Sequence, residues 1–359
     1  MKKATLILED GSRYEGYAFG ALRPSAGEVV FNTAMTGYPE SLTDPSYKGQ
    51  ILVATYPAIG NYGVPGKEKE DSLERNFESD KLHLSGFIIS DYSKEYSHYD
   101  AEMSLAEWMK RNGVPGIYGI DTRSLTRHIR NKGSMLGKIV TEELDTDFYD
   151  PAKENLVAQV SIKNKEIYGK GKYRILLIDC GLKNNIIRHL LARDTTVIRV
   201  PWDYDISRED YDGLFISNGP GDPKKCTVTI ENLKKAYGRD EPMFGICLGS
   251  QLMALAAGAN TYKMDYGHRG HNQPVLHLTD NQAYITSQNH GYAVEEDSLP
   301  PSWKTLFRNL NDATVEGVYH SKKPFFSTQF HPEASGGPTD TEFLFDVFIE
   351  KVKQHKTGK

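Results

Sequence analysis

The chain has 359 residues, of which 38 % are hydrophobic, 25 % charged and 11 % aromatic, a globular balance that excludes a wholly disordered or fibrous polypeptide. Its length predicts about two domains, each large enough to bury its own core. A net charge of −5 supplies none of the bulk positive field on which nucleic-acid and anionic-membrane binders rely, so neither partner is expected.

Residues 1–8 open basic and then apolar, but Glu9 and Asp10 end the run well short of a signal peptide's core. No apolar run approaches the roughly 18 residues of a membrane span. Residues 5–8 and 13–17 read as two short strands joined across Asp10-Gly11, a pair that accepts the positive φ of a tight hairpin. Further strands at 29–31 and 51–54 surround a loop dense in Gly, Pro, Asp and Ser, while 104–111 and 123–131 carry helical spacing. This half is predicted to be an α+β domain over residues 1–165.

The polar, basic, glycine-bearing stretch between Ser161 and Tyr173 reads as a linker, placed at 166–172, ahead of a second domain over 173–359. There the pattern changes. Apolar strands at 175–178, 196–200, 213–217 and 242–246 alternate with helices through Ile186, Ile187 and Leu190 and over 227–237. Strands apolar on both faces and alternating with helices predict an α/β domain with a mostly parallel sheet.

The sharpest local signal is Gly245-Ile246-Cys247-Leu248-Gly249, where a buried strand ends and an apolar helix through Leu252, Met253 and Leu255 begins. It has the form of a nucleophile elbow with cysteine in the serine position. Glycines two residues to either side are needed because a side chain there would strike the neighbouring strand or helix. At a helix N-terminus the dipole favours thiolate over thiol. Cys180 also follows a strand but lacks the preceding glycine and reads as core filler, and Cys226, in a polar run, reads as incidental. Three cysteines without CxxC spacing predict neither a disulfide framework nor a zinc knuckle, and fit a reducing cytoplasm.

A cysteine nucleophile needs a base, and His331-Pro332-Glu333, after the strand-like 325–330, supplies an imidazole with a carboxylate to orient it. If extended geometry continues, residues 331 and 333 project to the same side. The oxyanion of acyl transfer needs N–H donors, of which the amide of Leu248 is one. The second is expected from Ser217-Asn218-Gly219-Pro220-Gly221-Asp222-Pro223, at the C-terminal edge of the sheet. Residues 287–292 close a strand with a glycine-flanked polar stretch. His268, His271, His277 and His290 form a histidine-rich region, but with no Cys, Asp or Glu at ligand spacing no metal is expected.

Together, Gly-Ile-Cys-Leu-Gly, Asn-Gly-Pro-Gly-Asp-Pro and His-Pro-Glu resemble the class I, triad-type glutamine amidotransferases over residues 173–359. In the first half, the run from Gly27 through Gly37-Tyr38-Pro39-Glu40, then Leu42-Thr43-Asp44-Pro45-Ser46-Tyr47 and Gly119-Ile120-Asp121-Thr122-Arg123, resemble the small-subunit family of carbamoyl phosphate synthase. That resemblance implies a glutaminase that forms a cysteine thioester and channels ammonia to a separate large subunit, which makes carbamoyl phosphate from bicarbonate and ATP for arginine or pyrimidine synthesis.

Carried over by motif, it implies Cys247, His331 and Glu333 as the triad and Gly219 and Leu248 as the oxyanion hole. It also implies Ser46, Gly219, Gly221, Leu248, Gln251, Asn289, Gly291 and Tyr292 as glutamine contacts, with Ser46 bringing the site near an interdomain cleft. The sequence departs from the family pattern at Ser250, where histidine is frequent, and at His271, usually a small residue. No GxxxxGK[ST] motif occurs, consistent with ATP and magnesium belonging to the large subunit and with no cofactor in this chain. The resemblance also implies pairing with the large subunit and allows a higher oligomer of such pairs. Three alternatives stay open: another class I amidotransferase of the GMP or anthranilate type, a cysteine peptidase of related fold, and a non-catalytic regulatory subunit.

Overall fold

Alternation sets the first strand: in β1 (Lys3–Leu8) the side chains of Ala4, Leu6 and Leu8 are buried and those between them reach solvent. The structure, a computed structural model, describes residues 2–358. It forms two units, Met1–Glu154 and Asn155–Lys359.

In the first unit, β1 and β2 (Arg13–Gly20) pair as the antiparallel hairpin that Asp10-Gly11 predicts. They are followed by β3 (Ser25–Asn32), α1 (Tyr38–Thr43) and β4 (Gln50–Ala54). Then come the short strands β5 (Val64–Pro65), β6 (Lys69–Glu70), β7 (Leu73–Glu74), β8 (Gly86–Ile88) and β9 (Ala101–Met103). The unit ends with α2 (Leu105–Arg111), β10 (Pro115–Tyr118), α3 (Thr122–Lys132) and β11 (Met135–Val140). Ser104 caps α2 by accepting the Glu107 amide at 3.2 Å, and Asp121 caps α3 through the Ser124 amide at 2.8 Å.

The strands close into a barrel in the order β1-β11-β3-β4-β8-β10-β2. Closure leaves no sheet edge to protect, and it depends on the pairing of Thr5 with Val140. Local patterning predicts the hairpin and the helices α2 and α3, but neither α1 nor the barrel.

The second unit begins earlier than the predicted linker. Leu156 and Val157, at the start of α4 (Val157–Val160), are buried, and β12 (Glu166–Tyr168) pairs with the strand at 195–201. Residues 166–168 are therefore an edge strand whose solvent-facing side gives it a linker's composition. From there the chain runs β13 (Tyr173–Asp179), α5 (Asn184–Leu191), β14 (Thr195–Pro201), β15 (Gly213–Ile216), α6 (Thr227–Ala236), β16 (Met243–Ile246) and α7 (Leu248–Ala257). The remainder is β17 (Thr261–His277), β18 (Gln282–Val294), β19 (Trp303–Asn309), β20 (Val315–His320), β21 (Phe325–Thr328) and α8 (Phe343–Thr357).

These strands make one sheet of ten in the order β12-β14-β13-β15-β16-β21-β20-β18-β17-β19. Only the run β14-β13-β15-β16-β21 is parallel, so the sheet is mixed and not mostly parallel. The cause is the short connection at 278–281: β17 and β18 are joined by a turn too short for a crossover, which forces antiparallel pairing. Phe215 and Phe244 on the sheet pack against Phe345 and Phe348 of α8, and Phe326 stacks on Phe244. Each such side chain contributes about 1.5 to 3 kcal/mol by leaving water. Cys226, predicted as incidental, is instead buried in the core cluster with Leu233 and Leu252. Among the described residues no helix is long and apolar enough to cross a membrane.

Candidate functional site

Cys247 sits between β16 and α7 at φ 54°, ψ −105°, a conformation that L-residues adopt only under surrounding constraint. Its amide donates to Thr328 O at 2.8 Å, tying the turn to β21. The two glycines are required sterically. A Cβ on Gly249 would lie 2.3 Å from Ile216 O, and one on Gly245 would lie 2.7 Å from Met253 Sδ and 2.8 Å from Gly249 O. Sγ lies 3.7 Å from Asn289 O.

β21 carries the chain on to His331, whose amide donates to Ser287 O of β18 at 2.9 Å. His331 Nδ1 donates to Glu333 Oε1 at 2.7 Å, with both side chains buried. Burial alone would pull the imidazole down. The Glu333 carboxylate and Cys247 outweigh it, and the histidine is pushed up to about 10. Nε2 has no oxygen or nitrogen partner among the described residues, so it is the ring atom left for proton exchange with the sulfur and a leaving group.

Glu333 is held in turn by Lys183, whose Nζ is 3.0 Å from Oε1 and also donates to Ala334 O at 2.9 Å. Burial would raise this carboxyl, but Lys183 first and then His331 hold it down at about 2. The sequence reading missed Lys183. It stands in the loop after β13, where Asp179 accepts the amides of Gly181 and Leu182 at 2.8 and 2.9 Å, and Asn218 Oδ1 accepts the Lys183 amide at 3.1 Å. Asp179 is itself buried against Arg199 at 2.8 Å. The sequence carries no signal for it beyond a lysine standing shortly after an apolar strand.

Gly219 and Leu248 are neighbours: a Cβ on Gly219 would lie 2.8 Å from Leu248 Cδ2 and 2.0 Å from Cys180 O. Leu248 opens α7, where first-turn amides have no intrahelical acceptor. Gly221 has φ +86°. Gln251 Nε2 donates to Tyr292 O at 2.9 Å and to Gln329 Oε1 at 3.0 Å, which fixes the helix against β18. Asn289, Gly291 and Tyr292 lie inside β18 and do not close it. Ser46 lies in the first unit, in a single helical turn over Pro45–Tyr47 that Asp44 caps through the Ser46 amide at 2.8 Å.

The two departures from the family pattern have structural explanations. Ser250 Oγ shares a 2.8 Å hydrogen bond with Ser327 Oγ, joining α7 to β21. The His271 imidazole is pushed down to about 4 by burial and then by Lys183 and His331, so it borders the site as a neutral ring. Of the four histidines at 268–290, only His268 and His290 come together, joined by Glu316 from β20. His277 instead pairs with Asp280 at 2.8 Å.

A strained cysteine at a strand-to-helix turn, faced by a histidine that a buried carboxylate orients, defines a triad-type cysteine centre on an α/β sheet. Residues 176–351 match the family model "Glutamine amidotransferase class-I". Residues 6–139 match "Carbamoyl-phosphate synthase small chain, CPSase domain", and the chain belongs to this family. It is 51 % identical over 384 residues to the multifunctional protein pyr1-3 of Dictyostelium discoideum, covering 99 % of this chain and 17 % of that one. It is 52 % identical over 362 residues to the multifunctional protein CAD of Squalus acanthias, covering 99 % and 16 %. To the mitochondrial carbamoyl-phosphate synthase [ammonia] of Mus musculus it is 51 % identical over 360 residues, covering 99 % and 24 %. The chain thus spans a quarter or less of the length of these relatives.

Proposed function

We propose that this chain is the glutaminase component of a glutamine-dependent carbamoyl phosphate synthase. The observation that carries the reading is the buried set Cys247, His331 and Glu333, in a chain whose two halves both match the family. Cys247 Sγ, its proton passed to His331, attacks the side-chain amide carbon of L-glutamine. Gly219 and Leu248 amides receive the oxyanion. His331 gives the proton to the departing nitrogen, releasing ammonia and leaving a γ-glutamyl thioester. Water, deprotonated by His331, then cleaves the thioester to glutamate. Glu333 fixes the imidazole tautomer and stabilises the imidazolium.

Ser46, Gly221, Gln251, Asn289, Gly291 and Tyr292 are assigned to glutamine binding. Ammonia passes to a large synthase partner, on which ATP and magnesium act, and carbamoyl phosphate is its product. We place the protein in the cytoplasm, on its unpaired cysteines, and leave further assembly of the pairs as part of the proposal.

A second reading, a regulatory chain that does not use glutamine, takes support from the mouse relative whose name specifies ammonia. Product analysis separates the two. With partner, bicarbonate and ATP present, glutamine yields glutamate and carbamoyl phosphate in the first reading, whereas only added ammonia yields carbamoyl phosphate in the second.

A further inference from the structure

Between two irregularities of β17, at 263/268 and 270/273, residues 268–270 pair in register with 288–290 of β18. Such irregularities re-aim side chains. Here they direct the buried His268 and His290 toward each other, with ring centroids 5.0 Å apart and planes at 84°. His268 Nε2 lies 2.8 Å from Asp312 Oδ2, and Nδ1 lies 3.1 Å from Oε1 of the fully buried Glu316. Carboxylates only accept, so both ring nitrogens must donate and the ring is an imidazolium.

On the far side, His290 Nδ1 donates to Tyr292 O at 2.9 Å, the same carbonyl that Gln251 Nε2 reaches at 2.9 Å. One residue before His290, Asn289 O faces the Cys247 sulfur. Glu316 Oε1 lies 3.7 Å from His290 Nε2, beyond hydrogen-bond distance, so Glu316 meets His290 through packing and charge, and the row Asp312, His268, Glu316, His290 ends on the backbone against which glutamine is assigned to lie.

We propose that His268 is a positioning residue for glutamine: its imidazolium, held between Asp312 and Glu316, fixes segment 289–292 in its binding conformation. The inference rests on the glutaminase reading above. If the ring charge is removed, Glu316 keeps a buried negative charge without its closest partner. Relaxation of Glu316 and His290 then moves the Tyr292 carbonyl, while Cys247, His331 and Glu333, anchored through β21 and Lys183, stay in place. Contrary to the sequence reading, a glutamate does stand beside these histidines: ligand atoms of His268, His290 and Glu316 lie within 4.8 Å of one another. Glu316 Oε2 has no hydrogen-bond partner among the described residues, yet a metal ion fits less well than the imidazolium. Oε1 of Glu316 already collects His268, Asn309 Nδ2 at 3.3 Å and Thr314 Oγ1 at 3.4 Å, and His268 Nε2 is taken by Asp312.

The groups that face His268 are Asp312, Glu316, His290 and Asn309, with the Tyr262 phenol responding to the same two carboxylates. Burial opposes its charge, Glu316 and then Asp312 favour it, and the net direction is upward. The charged form is thus complete below the ordinary 6.5 and lost as pH rises through a value above it.

The test uses the complex with its synthase partner. His268→Asn is expected to raise the KM for glutamine about tenfold or more, with kcat within twofold. His268→Lys, which keeps the charge, is expected to recover part of the loss. In the wild type KM rises with pH above neutrality, and in His268→Asn that step is absent. Asp312→Asn, altered at the solvent-exposed end of the relay, shifts KM in the same direction and covers the case in which His268→Asn fails to fold. Equal loss of kcat and KM effects, or an unchanged KM in both variants, overturns the proposal. So does one equivalent of a transition metal in purified wild type that is missing from His268→Asn. If wild type turns over no glutamine, the glutaminase reading falls by itself. Nitrogen-15 imidazole spectra of the same sample then decide the relay, which requires His268 doubly protonated at pH 7.5 and is overturned by a neutral ring.

Discussion

Lys183 Nζ lies 3.0 Å from Glu333 Oε1, and the two side chains are 7 % and 0 % exposed. The carboxylate that orients His331 is thus balanced from behind by a lysine from the loop between β13 and α5. Lys183→Met leaves that carboxylate buried without its main counter-charge, and removing one member of a buried pair costs about 3 to 5 kcal/mol. A lower urea midpoint with an unchanged m-value is expected, together with a fall in glutamine turnover. In Lys183→Met/Glu333→Gln part of the stability returns because no buried charge remains, while turnover stays low.

Cys247→Ser is expected to abolish glutamine hydrolysis, and Cys180→Ser to retain most of it. Cys180 is fully buried, its thiol pushed up by burial, and Cys226 is likewise pushed up to about 12, so neither competes as a thiolate. With added ammonia, the Cys247 variant complex should still make carbamoyl phosphate. Equal loss from both single variants would refute the assignment of the nucleophile.

What was legible in the sequence was what a short window contains. The elbow glycines are two residues from Cys247, and Glu333 is two from His331, so steric and tautomer arguments apply before any fold is known. Lys183, Asp312 and Glu316 were not legible, because each meets its partner only through the sheet order. The barrel was hidden for the same reason: the hairpin at Asp10-Gly11 is local, whereas the pairing of β1 with β11 is not. The edge strand at 166–168 passed for a linker because a strand with one solvated face has the composition of a loop.

Glu333→Gln is expected to lower turnover less than His331→Asn, since the carboxylate orients while the imidazole transfers protons. In the double variant the losses should not add, because the pair acts as one unit. Steady-state rates of the three variants check this.

The triad also sets a pH window for stability. The Glu333 contribution is complete above the ordinary 4.5 and is lost as pH falls toward about 2. That of His331 is complete below 6.5 and is lost as pH rises through about 10. The stability gap between wild type and Glu333→Gln should accordingly be widest near pH 5 to 6.5 and shrink on both sides, as read by urea unfolding at pH 3, 6 and 9.5.

Alanine at Gly249 within α7 and at Gly258, which caps its C-terminus, should separate steric from conformational cost. Gly249→Ala drives a methyl into Ile216 O and should cost about 3 kcal/mol or more. At Gly258 φ is +98° with nothing within 4 Å of a Cβ, so Gly258→Ala should cost only about 1 to 2 kcal/mol. Denaturant midpoints and glutamine turnover of both variants test the elbow's packing.

Cys247 and His331 are brought together by the pairing of Ile246 with Thr328, between β16, midway through the second unit, and β21, synthesised about 80 residues later. Domains form as the chain is synthesised from its N-terminus. A nascent chain that has completed α7 holds its nucleophile elbow, but until β21 inserts beside β16 that elbow has no base and no Thr328 carbonyl to anchor it. On the proposed chemistry, translation order alone keeps unfinished chains from consuming glutamine. A fragment broken in the turn between β20 and β21 would lose the activity while keeping every residue of its nucleophile motif.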